Sequence, residues 1–148
     1  MESDVEALRL RPAAGRDAEA LADLMTQLGY PSTPQDLATR LLDLAGDASY
    51  HVLVAELDGT VVGCAAGQLA LGLERSGAFL RVIALVVDEA HLTRGVGGRL
   101  LAAIEDWGRG RGADASSLTS AHRRKAAHGF YESRGYACTG LRFFRWLR

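Results

Sequence analysis

The sequence predicts an α+β domain, in which a mixed, mostly antiparallel sheet is flanked by helices in the order β-α-α-β-β-β-α-β-α-β. The chain has 148 residues, near the usual size of one domain, so residues 1–148 are expected to form a single one. Along the chain, segments with strand-like alternation are followed by segments whose apolar residues have helical spacing. One strand-length run, Ala78–Val87, is almost entirely apolar. Such a run is typical of a central strand that is buried on both faces.

Composition and charge narrow the class of protein. Hydrophobic residues make up 48% of the chain and charged residues 24%, which is ordinary for a globular protein and excludes a disordered or collagen-like chain. Lys plus Arg number 17 against 18 Asp plus Glu, so no basic field would attract nucleic acid or an anionic membrane. The acidic start and the absence of a long apolar run predict a cytoplasmic protein. We expect Cys64 and Cys138 to be buried thiols rather than a disulfide or a metal site.

In the first half of the chain, local signals delimit each element. Thr33 is a helix cap followed by Pro34, which suits the first helical position, and Asp58-Gly59 is a two-residue hairpin signal. Glycine ends each helix. The predicted elements are a strand at residues 5–11, helices ended by Gly29 and Gly46, and strands Tyr50–Leu57 and Thr60–Leu71.

The second half begins with the apolar strand and a glycine-rich turn. Apolar residues at helical spacing follow the turn, and a shorter helix precedes Gly135. The predicted elements are the strand Ala78–Val87, a helix carrying Leu100, Leu101, Ile104 and Trp107, a strand at 115–120, the helix Lys125–Ser133, and one last strand or two short ones over 136–147.

The turn after the apolar strand is a candidate anion site, Arg94-Gly95-Val96-Gly97-Gly98-Arg99. The first N–H groups of a helix lack internal partners, and glycine lets a phosphate approach the backbone. Arg94 and Arg99 could add charge-assisted contacts. A tight connection with surplus glycine explains the turn about as well. A P-loop is disfavoured because no Lys-Ser or Lys-Thr occurs, and a Rossmann motif because the turn follows the fourth strand.

A second motif, Ala127-His128-Gly129-Phe130-Tyr131-Glu132-Ser133-Arg134-Gly135-Tyr136, lies near the C-terminus. With this motif, the element order and the glycine turn, essentially the whole chain resembles the GNAT superfamily of acetyl-CoA-dependent N-acyltransferases. The motif matches the family's A-x-x-x-Y-E-x-x-G-[FY]. In the family's turn, [QR]-x-x-G-x-[GA], Gly95 and Gly97 match both glycine positions, whereas Leu92 stands where Gln or Arg is usual.

The resemblance implies acetyl-CoA as cosubstrate, and no metal is expected. It implies that the fourth strand splays from the fifth, so that its backbone binds the pantetheine arm, and that the turn binds the pyrophosphate. The residues so implied are Leu85, Val86, Val87, Arg94, Gly95, Val96, Gly97, Gly98 and Arg99. Tyr131 falls on the tyrosine that protonates the leaving thiolate as general acid. Alternatively, Tyr131 simply packs the last helix on the sheet.

The general base is not evident. Relatives often carry a glutamate on the fourth strand, but no carboxylate lies in Ala78–Val87. His122 and His128 are candidates because an imidazole titrates near neutral pH, and Glu74 could line an acceptor site. Each histidine is more often a packing residue, and a water relay without a dedicated base fits equally well.

We therefore expect an enzyme, an N-acetyltransferase that transfers acetyl from acetyl-CoA to a primary amine of a small molecule in a ternary complex. The alternative is a catalytically weak or inactive CoA-binding module of the same fold, which Leu92, Arg81 and Ala84 motivate. A purely structural partner protein is the third reading. The Ala-His-x-Phe-Tyr segment at 127–131, combined with an Arg-Phe pair near the C-terminus, resembles small-amine acetyltransferases, including the aminoalkylphosphonate type.

Two charged or aromatic segments leave further questions open. The basic run at 120–125 could contact the 3′-phosphate of CoA or an anionic acceptor, or it could be a solvated helix start. Phe143, Phe144 and Trp146 could form a homodimer contact or belong to the core.

Overall fold

The computed structural model of the chain describes residues 8–92, 94–120 and 125–148. Within these residues, five strands form one sheet in the order β1-β2-β3-β4-β5. Adjacent strands are antiparallel from β1 to β4, and β4 and β5 are parallel. The elements are β1 Leu8–Pro12, α1 Ala18–Leu28, α2 Pro34–Ala45, β2 Tyr50–Leu57, β3 Thr60–Leu71, β4 Ala78–Val87, α3 Val96–Gly110, β5 Ala113–Leu118 and α4 Lys125–Ser133. The predicted α+β class is confirmed.

The local signals act as expected. The Thr33 hydroxyl accepts from the Asp36 amide at 3.1 Å, and the Asp36 carboxylate accepts from the Thr33 amide at 2.9 Å, which closes a capping box at the start of α2. Asp58 and Gly59 have φ of 50° and 83°, as a tight hairpin between β2 and β3 requires. These short-range interactions decide where the elements begin and end.

Helices cover both faces of the sheet. α3 and α4 pack on one face, where the buried side chains include Leu80, Leu100 and Ile104, and α1 and α2 pack on the other against Val54 and Val86. The strand β4 contributes to both clusters, which explains its continuous apolar sequence.

Glycine in β3 lets α3 approach the sheet. A Cβ built on Gly67 would lie 2.8 Å from Leu80 Cδ1 and 2.9 Å from Ile104 Cγ1. Any side chain at Gly67 would therefore push α3 away from the sheet.

A buried ion pair fixes the start of α1 to the sheet. The Arg11 guanidinium donates to both Asp17 carboxylate oxygens at 2.8 and 2.9 Å, and to Glu56 Oε1 at 2.9 Å. The Asp17 side chain is only 4% exposed. The hydrogen bonds from Arg11 lower the pKa of the Asp17 carboxyl below its ordinary value.

The structure corrects two predictions near the C-terminus. The described residues 136–148 contain no strand, so the tenth predicted element is absent. The alternation of bulky and charged residues in this segment is typical of a half-buried strand. A strand also needs a neighbouring strand to pair with, which the alternation does not ensure. Phe143 is 90% exposed and Trp146 64%. Cys138 is exposed in this segment, whereas Cys64 is buried as expected and burial raises its pKa to about 12. In the described part of the chain, no helix is long and apolar enough to span a membrane.

Candidate active site

A β-bulge in β4 shapes the candidate site. The pairing with β3 steps from Ala66–Ala84 to Gly67–Val82, so Ile83 is an extra residue in β4. A bulge re-aims the side chains beside it and is frequent next to active sites. Here Ile83 and Ala84 both line a cleft.

Beyond the bulge, β4 and β5 separate. Their parallel pairing ends at Val82–Leu118, whereas β4 continues to Val87. In the described residues, β5 therefore leaves the edge of β4 from Ile83 to Val87 without a strand partner. Exposed N–H and C=O groups of such an edge can bind an extended ligand. The sequence placed Leu85, Val86 and Val87 on this edge, and Leu85 also lines the cleft.

The glycine turn brings helix-start amides to the end of β4. Gly95 has φ of 75° and caps α3, and the first intrahelical bond runs from the Arg99 amide to the Gly95 carbonyl at 3.3 Å. The amides of Val96, Gly97 and Gly98 consequently have no acceptor within the helix. The Arg94 amide, by contrast, donates to the His91 carbonyl and belongs to the turn itself.

The cation beside this helix start is Arg134, which directly follows α4 and was missed in the sequence. A Cβ on Gly98 would clash with the Arg134 guanidinium, which stacks on the Phe130 ring with 5.1 Å to its centroid. The Arg99 guanidinium instead donates to the Leu8 carbonyl at 3.4 Å, on the far edge strand β1. The i, i+4 spacing of Phe130 and Arg134 was the available signal.

A hydrogen-bonded clamp ties α1 to the start of the turn. Gln27 donates to Asp88 Oδ1 at 2.9 Å and accepts from the Glu89 amide at 3.0 Å. His91 Nδ1 lies 3.0 Å from the other Asp88 oxygen. The hydrogen bonds from Gln27 and then His91 lower the pKa of the Asp88 carboxyl. Nothing in the local sequence indicated this contact, because 61 residues separate Gln27 from Asp88.

The residues that line the cleft come from two parts of the chain, which we call its inner and outer walls. The inner wall is formed by the bulged part of β4, the end of β5 and α4, and comprises Val82, Ile83, Ala84, Leu85, Leu118, Thr119 and Tyr131. The outer wall comprises Leu28, Tyr30 and Arg142, from the end of α1 and the C-terminal segment. The cleft holds about 90 Å³. That volume corresponds to roughly three water molecules.

The tyrosine that the sequence selected is in this cleft. Tyr131 is only 8% exposed, and its ring meets Phe130 and Tyr136 edge-on at 5.5 and 6.2 Å between centroids. These contacts also agree with the alternative that Tyr131 packs the last helix on the sheet. Burial raises the pKa of Tyr136 to about 12, and its hydroxyl donates to Glu105 Oε2 at 2.8 Å. Tyr131 is thus held between two rings, one of which is anchored to α3.

The candidate bases are not gathered in the described cleft. His128 is half-buried on α4, one turn before Tyr131, but is not among the residues that line the cleft. His122 lies outside the described residues, as does most of the basic run at 120–125. Glu74 is exposed beside Gly72 in the loop before β4. Among the described lining residues there is no carboxylate and no histidine.

One polar atom near the cleft lacks a partner. Ser120 Oγ is buried and has no hydrogen-bond partner in the described structure. Ser120 follows Thr119 of the inner wall, where the chain leaves β5. A buried hydroxyl without a partner costs free energy unless a ligand supplies one.

The candidate site thus combines a strand edge without a strand partner in the described residues, helix-start amides and a buried tyrosine. The model of the acetyltransferase (GNAT) family matches residues 18–136, and the chain belongs to that family. It is accordingly an acetyltransferase whose acyl donor is acetyl-CoA.

Individual relatives agree with this family. An aminoalkylphosphonate N-acetyltransferase from Salmonella typhimurium is 28% identical over 143 residues, which cover 93% of this chain and 90% of the relative. A GNAT family acetyltransferase from Staphylococcus aureus superposes with a TM-score of 0.80 at 24% identity, over 95% of this chain and 99% of the other. An aminoglycoside N-acetyltransferase solved with CoA superposes with a TM-score of 0.83 at 17% identity, over 95% of each chain. At these identities, the solved structures support the fold.

Proposed function

We propose that this protein transfers acetyl from acetyl-CoA to the primary amine of a small molecule, directly, within a ternary complex. The observation that carries the proposal is that Tyr131 and the unpaired edge of β4 line one cleft. Direct transfer needs the donor and the acceptor side by side, and holding them so supplies part of the rate acceleration.

The described residues fit the acyl donor. The edge at Leu85–Val87 suits the amides of a pantetheine arm, and Ser120, whose hydroxyl has no partner among the described residues, follows the end of β5. The amides of Val96, Gly97 and Gly98 suit the pyrophosphate, with Arg134 as a nearby cation. When bound, acetyl-CoA supplies the activated thioester. Arg94 remains a candidate for the same phosphates, whereas the contact of Arg99 with Leu8 directs its guanidinium elsewhere.

Tyr131 is assigned the role of general acid. A phenol can give its proton to a departing thiolate, and the two flanking rings restrict how Tyr131 can turn. Its burial excludes bulk water from that step.

Removal of the acceptor proton falls to water or to His122, since the described lining of the cleft holds no carboxylate or histidine. His128 remains a weaker candidate, because reaching the amine would require a water between them. The pH profile of kcat/KM in His122→Ala and His128→Ala separates the three cases: only loss of the true base shifts or flattens the acidic limb.

Two observations support a small acceptor. The cleft has a volume of about 90 Å³, which is far below that of a site for a drug-sized molecule. The relative from Salmonella typhimurium is an aminoalkylphosphonate N-acetyltransferase, and aminoalkylphosphonates are small primary amines.

The decisive experiment measures thiol release from acetyl-CoA with a panel of small primary amines, for the wild type and Tyr131→Phe. We expect turnover by the wild type and a kcat about 100-fold lower in the variant, with CoA binding retained. CoA binding without turnover of any amine would favour the alternative, a CoA-binding module. Full activity of Tyr131→Phe at every pH would remove the acid role.

We further propose that a second copy of the chain covers the C-terminal segment. Phe143 and Trp146 are 90% and 64% exposed, and β5 is an edge strand of the sheet in the described residues. Exposed aromatic side chains and a free strand edge are each typical of a self-association surface. Light scattering should give a dimer mass for the wild type and a monomer mass for Phe143→Ser/Trp146→Ser; a monomeric wild type would contradict the proposal.

A further inference from the structure

The charge of the cleft is one-sided. Arg142 is the one charged side chain among the described residues that line it. No carboxylate accompanies Arg142 there, and in the described part of the chain no ion pair engages its guanidinium. The outer wall therefore presents an uncompensated positive charge.

Arg142 has an aromatic neighbour in the C-terminal segment. Its guanidinium carbon lies 5.2 Å from the centroid of the Phe144 ring. A cation held over a ring in this way keeps its N–H groups at the edges of the plane free for an acceptor. The contact with Phe144 therefore leaves the N–H groups of the guanidinium available to a bound anion.

The two ends of a bound acceptor would contact different walls of the cleft. The inner wall carries Tyr131 and the β4 edge, so the reacting amine belongs there. Arg142 lines the same cleft, which holds only about 90 Å³, so a group bound by Arg142 lies close to the reacting end. An acceptor that reaches both walls is consequently short.

We propose that the acceptor is a short amine carrying an anionic group, a phosphonate, phosphate or carboxylate, and that Arg142 binds this group. The inference rests on the proposed function and adds the substrate class. A planar guanidinium matches such anions through two parallel hydrogen bonds. A polycationic amine is disfavoured, because the described cleft offers Arg142 and no carboxylate to its additional ammonium groups.

The test compares three amines. 2-Aminoethylphosphonate and β-alanine carry an anionic group on the same two-carbon spacer, and n-propylamine has a methyl group in its place. Arg142→Gln removes the charge. Arg148→Gln is the matched control, because Arg148 stacks on Trp146 with 4.5 Å to the ring centroid but does not line the cleft. Binding of each amine to the CoA-loaded protein is measured by calorimetry alongside the kinetics of acetyl transfer.

We expect the wild type to prefer the anionic amines, and Arg142→Gln to raise their KM and Kd about tenfold or more while leaving those of n-propylamine unchanged. The two anionic amines identify which anion the site accepts. Equal effects of Arg142→Gln and Arg148→Gln, or a wild type without preference for an anion, would overturn the inference. Arg142-dependent binding without turnover would instead count against the proposed function alone.

Discussion

The two walls of the cleft are built differently. Inner-wall side chains such as Leu85 and Tyr131 are buried and belong to the core cluster under α3. On the outer wall, Tyr30 is 59% exposed and Arg142 comes from a segment without helix or strand. Substitution of Leu85 or Tyr131 would disturb the core, whereas Ile83, Tyr30 and Arg142 are exposed and can change at the surface. One fold can therefore keep its donor and take different acceptors.

The strongest way to break this comparison is to block donor binding at the glycine turn while the outer wall stays intact. Gly97→Glu should abolish measurable CoA binding, a loss of at least about 100-fold, because a carboxylate beside the helix-start amides repels the phosphates. A Cβ at Gly97 would meet Val87 Cγ2 at 3.5 Å and Phe130 Cζ at 3.6 Å, ordinary contacts that the fold tolerates. Calorimetric titration with CoA measures the effect.

Two controls accompany Gly97→Glu. Gly97→Ala adds the Cβ without the charge and should retain CoA binding, and Tyr30→Ala changes only the outer wall and should leave it unaltered. If Gly97→Glu bound CoA like the wild type, the turn would not be the pyrophosphate site.

A smaller effect is expected where α1 is anchored. Asp17→Asn removes the negative charge that pairs with Arg11 and leaves the ion pair with Glu56, and it should lower the free energy of unfolding by about 3 kcal/mol at pH 7. Because the pKa of Asp17 is lowered on folding, its contribution is complete above the ordinary carboxyl pKa and is lost as the pH falls through the folded value.

Urea unfolding of the wild type and Asp17→Asn at pH 7 and pH 3 measures this difference. The gap between the two proteins should narrow at pH 3. An equal gap at both pH values would mean that packing, rather than the charge of Asp17, accounts for the loss.

The smallest effect tests whether the walls are coupled. Gln27 lies one residue before Leu28 of the outer wall and bonds Asp88, at the start of the turn. Gln27→Ala should raise the KM values of both acetyl-CoA and the amine by about threefold to tenfold, the effect of one or two hydrogen bonds. Asp23→Ala is the matched control, since Asp23 bonds Gln27 on the exposed side only. A change in the amine KM alone would mean that the walls act independently.

Local spacing was sufficient for most of the fold. Thr33 and Asp36 close a cap within one turn, and the Asp58-Gly59 hairpin sets the pairing of its own flanking strands. The C-terminal segment had equally regular alternation but formed no strand, because strand pairing depends on a partner that alternation does not provide.

For the site, the motif residues could be chosen from the sequence but their surroundings could not. Tyr131 and Gly97 lie within two short motifs and Leu85 lies in the apolar strand, and the structure brings Tyr131 and Leu85 into one cleft. Arg134 beside Gly98 was not anticipated, and Arg99 was expected near the turn but points to β1. Both depend on how α4 and β1 pack around α3, which is a matter of long-range contact.

By itself, the sequence determined the central strand from its apolar run and the helix-start turn from its glycines. It also singled out Tyr131 from a contiguous motif. Only the tertiary structure decided at which residue β4 parts from β5, that Arg142 lines the cleft, and that the clamp from Gln27 reaches Asp88. These features join residues distant in the chain. Their energies depend on packing and burial around the whole site rather than on any local pattern.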